Sequence, residues 1–243
     1  MRYNPKLAEI VNREVELEGR AGARKKNRKA EPPKIAAPAN SQEGYIFVPS
    51  LGMDIAKKRT LQGIDFYEQT KSAHAQSQRI CTINEFREFV NYLRNGYSDR
   101  QEAQQILDEI YKVEGNWRAE NLDARFEKVK KDLFVNYHKF DDNGDITPVR
   151  ERVAPCLMEN KTPGISLDDW LANATPQGLP LENVNSGDLY YWAPVNEAVA
   201  GFYADSVRAY LNCSRSPTNV DSSLGVRLVG RKKISGGEND KSN

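Results

Sequence analysis

The segment Ala209-Tyr-Leu-Asn-Cys-Ser-Arg-Ser-Pro217 decides the fold class, because its side chains alternate between two kinds. Tyr210, Asn212, Ser214 and Ser216 form one set, and Leu211, Cys213, Arg215 and Pro217 form the other. An extended backbone sends alternate side chains to opposite faces, so one face is predicted to present contacts while the other anchors. The same alternation also fits an ordinary half-exposed strand, and the pattern alone leaves both interpretations open.

The wider stretch Tyr190–Val229 has the composition of a protein-binding surface. Tyrosines offer large amphipathic contact area at a small entropic cost, while asparagines and serines supply adaptable hydrogen bonds. The residues concerned are Tyr190, Tyr191, Tyr203, Tyr210, Asn196, Asn212 and Asn219.

Two blocks of this stretch resemble the variable region of proteins diversified by retroelements. They are Val199-Ala-Gly-Phe-Tyr-Ala-Asp-Ser-Val-Arg-Ala-Tyr-Leu-Asn-Cys-Ser-Arg-Ser-Pro217 and Ser222-Ser-Leu-Gly-Val-Arg227. The resemblance implies an α+β protein with a C-type lectin-like fold, in which several helices flank a small, mostly antiparallel sheet. It also implies a non-catalytic, receptor-type ligand-binding protein. In such proteins a reverse transcriptase, copying an RNA template, changes chosen codons at adenines and leaves the framework fixed.

Carried over residue by residue, the resemblance divides the segment into variable, ligand-contacting positions and framework positions. The candidate variable positions are Tyr203, Asp205, Val207, Tyr210, Asn212, Ser214, Ser216, Asn219 and Asp221, with Tyr191, Val195 and Glu197 upstream. The framework positions are Phe202, Ala204, Ser206, Arg208, Ala209, Leu211, Cys213, Arg215, Pro217, Leu224, Gly225, Val226 and Arg227. The chain departs from the family at Gly201, where Arg is common, and at Val207, where Asp is common.

The other elements are predicted from periodicity and capping signals. They are a strand at Tyr45–Val48, helices over Ile64–Gln78, Thr82–Gly96, Ser98–Val113 and Leu122–Phe134, loops after Tyr137, a helical turn at Ser166–Trp170 and a strand at Leu224–Arg227. The clearest of these signals is Thr82-Ile-Asn-Glu85, a capping box. By propensity alone Glu197–Leu211 could be helical, and only the resemblance favours strand and loop there.

Length and charge predict one core with two polar ends. Residues 1–43 are predicted to be a flexible basic arm, residues 44–229 the ligand-binding domain and residues 230–243 a disordered tail. The 35 Lys and Arg against 34 Asp and Glu give a net charge of +1, so no global field attracts nucleic acid or an anionic membrane. The three cysteines are too few and too widely spaced for a disulfide framework and are expected to be buried free thiols.

The sequence contains no motif that argues for an enzyme, a cofactor or a metal site, so none is expected. His74 and His138 lie at no spacing typical of metal ligands. The acidic turn at Asp141 does not match a calcium loop, because Gly144 is at loop position four and Arg152 at position twelve. The resemblance would also admit a formylglycine-generating type of enzyme, but the paired cysteines of that group have no counterpart near Cys213.

The expected partner is a macromolecule, in the first place a protein, of unknown identity. The alternative is a nucleic-acid-associated protein that binds through the six basic residues between Arg20 and Lys29. The same run is also typical of a solvated, flexible segment. The sequence has neither the h-region of a signal peptide nor an apolar stretch long enough for a membrane helix, which favours a cytoplasmic or virion-associated protein.

Overall fold

The computed structural model describes residues 43–111, 117–154, 157–158 and 161–231. The predicted basic arm lies outside the described residues except for its last position, and Cys156 lies outside them as well. Of the predicted tail only Gly230 and Arg231 are described. Gly230 is the last residue of a strand and is buried.

Within the described ranges the chain forms twelve strands and four helices. The strands are β1 (Tyr45–Val48), β2 (Met53–Ala56), β3 (Arg79–Ile80), β4 (Trp117–Val129), β5 (Asp132–Phe140), β6 (Ile146–Arg152), β7 (Lys161–Ile165), β8 (Leu189–Trp192), β9 (Val199–Asp205), β10 (Ala209–Arg215), β11 (Leu224–Val226) and β12 (Leu228–Gly230). The helices are α1 (Phe66–Ala75), α2 (Ile83–Asn95), α3 (Arg100–Tyr111) and α4 (Leu167–Ala172).

The strands form two sheets. One has four strands in the order β1-β2-β12-β3, and the other has eight, in the order β6-β5-β4-β9-β10-β8-β7 with β11 beside β4. Neighbours pair antiparallel except β8 with β10 and β4 with β11, which pair parallel. The predicted mixture of helices with mostly antiparallel sheet is confirmed, but the prediction of a small sheet is wrong.

The sheet is larger than predicted because the expected third helix, Leu122–Phe134, is strand. Leu122 and Phe126 are four residues apart, which places them on one face of a helix but equally on one face of a strand. In the structure both are buried together with Ala124, at the alternate positions of β4. A turn follows in which Lys130 has a φ of 57°, and the chain reverses into β5. The stretch after Tyr137, expected to be loop, continues as the β5–β6 hairpin.

The capping box at the start of α2 is confirmed. The Thr82 hydroxyl accepts from the Glu85 backbone N–H at 3.3 Å, and the Glu85 carboxylate accepts from the Thr82 N–H at 2.9 Å. The helix then buries Phe86, whose ring centroid is 4.9 Å from that of Phe202 in β9. This contact packs α2 against the inner face of the large sheet.

A buried ion network joins the two sheets near the C-terminus of the described chain. Arg227, between β11 and β12, donates to the Glu120 carboxylate at 2.9 Å and to the Ala56 carbonyl at 2.8 Å. It also donates to Glu109 of α3 at 3.0 Å, and Arg118 donates to Glu120 at 3.0 Å. Burial alone would raise the pKa of Glu120, but the positive charges of Arg227 and Arg118 outweigh it and hold that pKa below its usual value.

Candidate ligand-binding surface

The predicted variable segment lies at the middle of the large sheet, where β8, β10, β9 and β4 are neighbours. The register aligns Tyr190 with Tyr210, Tyr210 with Tyr203, and Tyr203 with Ala119. Residues that are directly opposite each other on paired strands share a face of the sheet. The resemblance favoured strand and loop over Glu197–Leu211, against the helical propensity, and the structure has β9, a turn and the start of β10 there.

Five aromatic side chains form a continuous row across this face, which we call the aromatic face: Trp117, Tyr190, Trp192, Tyr203 and Tyr210. The rings of Tyr203 and Tyr210 stack with centroids 5.1 Å apart and planes 7° apart, and Trp117 stacks on the other side of Tyr203 at 5.9 Å. Trp192 meets Tyr210 edge-on at 5.2 Å and Tyr190 at 6.0 Å. Every member except Tyr203 is partly exposed.

The turn between β9 and β10 adds charge to the aromatic face. The guanidinium carbon of Arg208 lies 4.5 Å from the ring centroid of Tyr190 and 5.9 Å from that of Tyr210. One carboxylate oxygen of Asp205 accepts from the backbone N–H groups of Val207 and Arg208, which fixes the turn. The face thus combines aromatic rings with a positioned cation, a composition enriched at protein interfaces.

The opposite face of the same strands belongs to the core. There the register aligns Tyr191 with Leu211, Leu211 with Phe202, and Phe202 with Glu120, and all four side chains are buried. Tyr191, predicted to contact ligand, is completely buried, and burial raises its pKa well above the usual value. The prediction that Tyr191 contacts a ligand is therefore wrong, because its side chain lies on the core face of β8. The side chain of its neighbour Tyr190 lies on the accessible face.

Tyr203 is the second predicted contact that the structure buries. Its side chain is 1% exposed between Trp117 and Tyr210, and the Arg215 guanidinium lies 5.2 Å from its ring centroid. Burial raises the pKa of Tyr203 to about 12, so the ring is uncharged in neutral solution. Tyr203 supports the aromatic face from within and is not available as a direct contact.

The remaining predicted variable positions differ in exposure. Val195, Glu197, Val207 and Ser216 are exposed, while Asp205, Tyr210, Ser214, Asn219 and Asp221 are half-buried. Asn212 is buried, with 9% of its surface exposed. Its side-chain oxygen accepts from the backbone N–H and from the hydroxyl of Ser214, each at 2.8 Å. These bonds lie where the pairing of β10 with β9 becomes irregular. Asn212 is a structural residue here and not the outward contact that alternation predicted.

The predicted framework positions are mainly internal. Phe202, Cys213, Gly225 and Arg227 are buried, and Cys213 and Cys81 are free thiols as expected. Arg215 is half-buried. Arg208 differs from its prediction, because 39% of its side chain is exposed and it lies on the aromatic face. We therefore group Arg208 with the candidate contacts.

The glycine at position 201, where the resemblance would favour arginine, has a structural explanation. A Cβ atom at this position would lie 2.7 Å from the Tyr203 ring and 3.1 Å from the Glu120 carbonyl oxygen. The Tyr203 ring thus occupies the space that a larger side chain would need. Arginine at position 201 and a buried tyrosine at position 203 exclude each other in this packing.

Tyr190 and Trp192 are the surface residues that were missing from the predicted variable set. Leu189 and Tyr191 are buried while Tyr190 and Trp192 are partly exposed. Leu189 could have indicated this in the sequence. An apolar residue at position 189 is expected to face the core, which places Tyr191 on the core face and Tyr190 and Trp192 on the other face of β8. Trp117 is partly exposed at the end of the row.

Comparison of the chain with models of protein families, with characterised proteins and with solved structures gave no match. Among the described residues, no helix is both long and apolar enough to cross a membrane.

Proposed function

We propose that this protein is a non-catalytic binding protein whose aromatic face, with the loops beside it, contacts a macromolecular ligand, in the first place a protein. The observation that carries the proposal is the row of Trp and Tyr rings on one face of the large sheet, of which all but Tyr203 are partly exposed. Residues of this kind supply most of the binding energy in protein interfaces. They offer that contact area with only two side-chain torsions each.

The exposed positions of this segment can also accept different residues without loss of stability. Val195, Val207 and Ser216 are exposed, so replacing them alters no buried volume. Surface substitutions usually change stability by about 0.5 kcal/mol or less, whereas volume changes in a core cost about 1 to 5 kcal/mol. We therefore propose that the segment 190–229 is diversified by a retroelement reverse transcriptase on a C-type lectin-like framework.

The diversification is tested by sequencing the DNA around the gene. The proposal expects a near-copy of the region encoding Tyr190–Val229 that differs chiefly at adenines and lies beside a reverse transcriptase gene. Differences should concentrate in codons of exposed positions such as Val207 and Ser216, and should be rare at Phe202 and Leu211. A gene neighbourhood without such a copy, or differences spread evenly over both faces, would contradict diversification but not ligand binding by the aromatic face.

A further inference from the structure

A groove of about 780 Å³ lies between helix α1 and the strands β4, β5 and β6. Its volume is within the range of sites for small molecules, about 300–1,000 Å³. Phe66, Tyr67 and Tyr137 give it aromatic walls, and Lys71, Arg125 and Arg150 bring cationic groups. The groove shares no residue with the aromatic face.

The two histidines of the chain meet in this groove, although they are far apart in the sequence. The rings of His74 and His138 pack edge-to-face with centroids 4.5 Å apart. Asp123, buried in β4, accepts from the His138 backbone N–H at 2.9 Å and lies 3.1 Å from its Nδ1 atom. Asp123, the one carboxylate among the described residues that line the groove, is therefore engaged by His138.

Two nitrogen atoms of groove residues are buried and have no hydrogen-bond partner in the described part of the chain: Nε2 of His74 and Nε of Arg125. Buried polar atoms in folded proteins are nearly always paired. The carboxylates that pair with the groove's cations, Glu68, Glu127 and Glu197, are not part of its lining. These ion pairs are partly exposed, and such pairs contribute little, so the cations remain able to bind an anion.

We propose that this groove binds a small organic anion with a flat apolar body and one carboxylate. The apolar body packs against the aromatic walls, and the carboxylate accepts from Arg125 and lies near Lys71. A guanidinium that donates to a carboxylate makes a strong, directional contact. His74 adds to the attraction when it is protonated.

The affinity is expected to increase as the pH falls. Burial and the neighbouring His138 lower the pKa of His74, while Asp123 opposes them, so His74 gains its proton only below the usual range for histidine. The charged groups around it are Lys71 on α1, Asp123 and Arg125 on β4, His138 on β5 and Arg150 on β6. Protonation adds a positive charge to a groove in which cations outnumber carboxylates.

Isothermal titration of the full chain with naphthalene-2-carboxylate, and with naphthalene-2-methanol as the uncharged control, tests the proposal. We expect one molecule of the carboxylate per chain, bound at least about tenfold more tightly than the alcohol. Arg125→Gln should weaken carboxylate binding by about tenfold and Lys71→Ala by several-fold. The matched control is Lys58→Ala, an exposed lysine outside the groove, which should bind as the parent does.

The pH dependence supplies a second readout that does not depend on these variants. From about pH 8 to about pH 6.5 the affinity of the parent for the carboxylate should change little, it should then increase as the pH falls towards 5, and His74→Phe should flatten this dependence. Equal affinity for the acid and the alcohol, unchanged binding by both Arg125→Gln and Lys71→Ala, or binding that is lost in Tyr210→Ala instead would each overturn the proposal. Because the two sites share no residue, its failure would leave the function proposed for the aromatic face untouched.

Discussion

Replacing Arg227 with methionine is expected to lower the free energy of unfolding by about 3–5 kcal/mol, as breaking a buried ion pair by removing one partner commonly does. The substitution removes the donors to Glu120 and Glu109 and to the Ala56 carbonyl. Methionine fills much of the space but leaves the fully buried Glu120 with less positive charge. Urea denaturation at neutral pH measures the loss, and Arg231→Met, an exposed arginine four residues later, is the control that should change little.

The same variant has a defined pH dependence. In the parent the pKa of Glu120 is held below its usual value of 4.5, so its ion pairs stabilise the fold above that pH. That contribution disappears as the pH falls through the lowered pKa. In Arg227→Met the pKa of Glu120 rises, and protonation in acid removes the uncompensated charge. The stability difference between the two proteins should therefore narrow below about pH 4.5, and adding Glu120→Gln should recover part of the loss. A constant difference across that range would show that charge burial is not the cause.

Replacing each of the two adjacent tyrosines of β8 with alanine is expected to lower stability by very different amounts. Tyr191→Ala should cost about 3–5 kcal/mol of stability, because it removes a large, fully buried ring from the core. Tyr190→Ala should cost about 1 kcal/mol or less, because its ring is partly exposed and contacts mainly Trp192 and Arg208. Thermal or urea unfolding of both variants measures the difference.

The matched control for this pair is Tyr191→Phe. Its hydroxyl oxygen is buried without a hydrogen-bond partner in the described residues, so removing it should leave stability unchanged or slightly higher. Large destabilisation by Tyr190→Ala together with a tolerated Tyr191→Ala would reverse the two faces of the strand and remove the basis for the aromatic face.

The sequence predicted those elements in which local signals and tertiary contacts agree. The capping box at Thr82 fixed the start of α2, and Tyr45–Val48 is a strand as expected. At Leu122 and Phe126 the spacing of four fitted a helix and a strand equally. Tertiary context decided in favour of the strand, since β4 pairs with β5, β9 and β11. The pairings of β4 with β9 and β11, which lie far along the chain, leave no mark in a single local window.

The candidate site was predicted in outline but not in detail. Alternation correctly separated Tyr210 from Leu211, yet it failed at Asn212, whose side chain bonds to Ser214 where the strand pairing becomes irregular. The resemblance failed at Tyr191, because it did not take account of Leu189, the buried neighbour that places Tyr191 on the core face of β8. The groove between His74 and His138 had no sequence signal, because only the fold brings α1 against β5.

The proposed function requires that one face of the central strands can vary while the other cannot. Two libraries of displayed variants of this protein compare the two faces. Each library is randomised at five positions, and the fraction of clones that resist protease measures how many stay folded. The first varies Tyr190, Trp192, Val207, Tyr210 and Ser216, and the second varies Leu189, Tyr191, Phe202, Leu211 and Cys213. We predict that most clones of the first library stay folded and that most of the second do not. Similar folded fractions in the two libraries, or a lower fraction in the first, would contradict the division of the strands into a variable face and a fixed face.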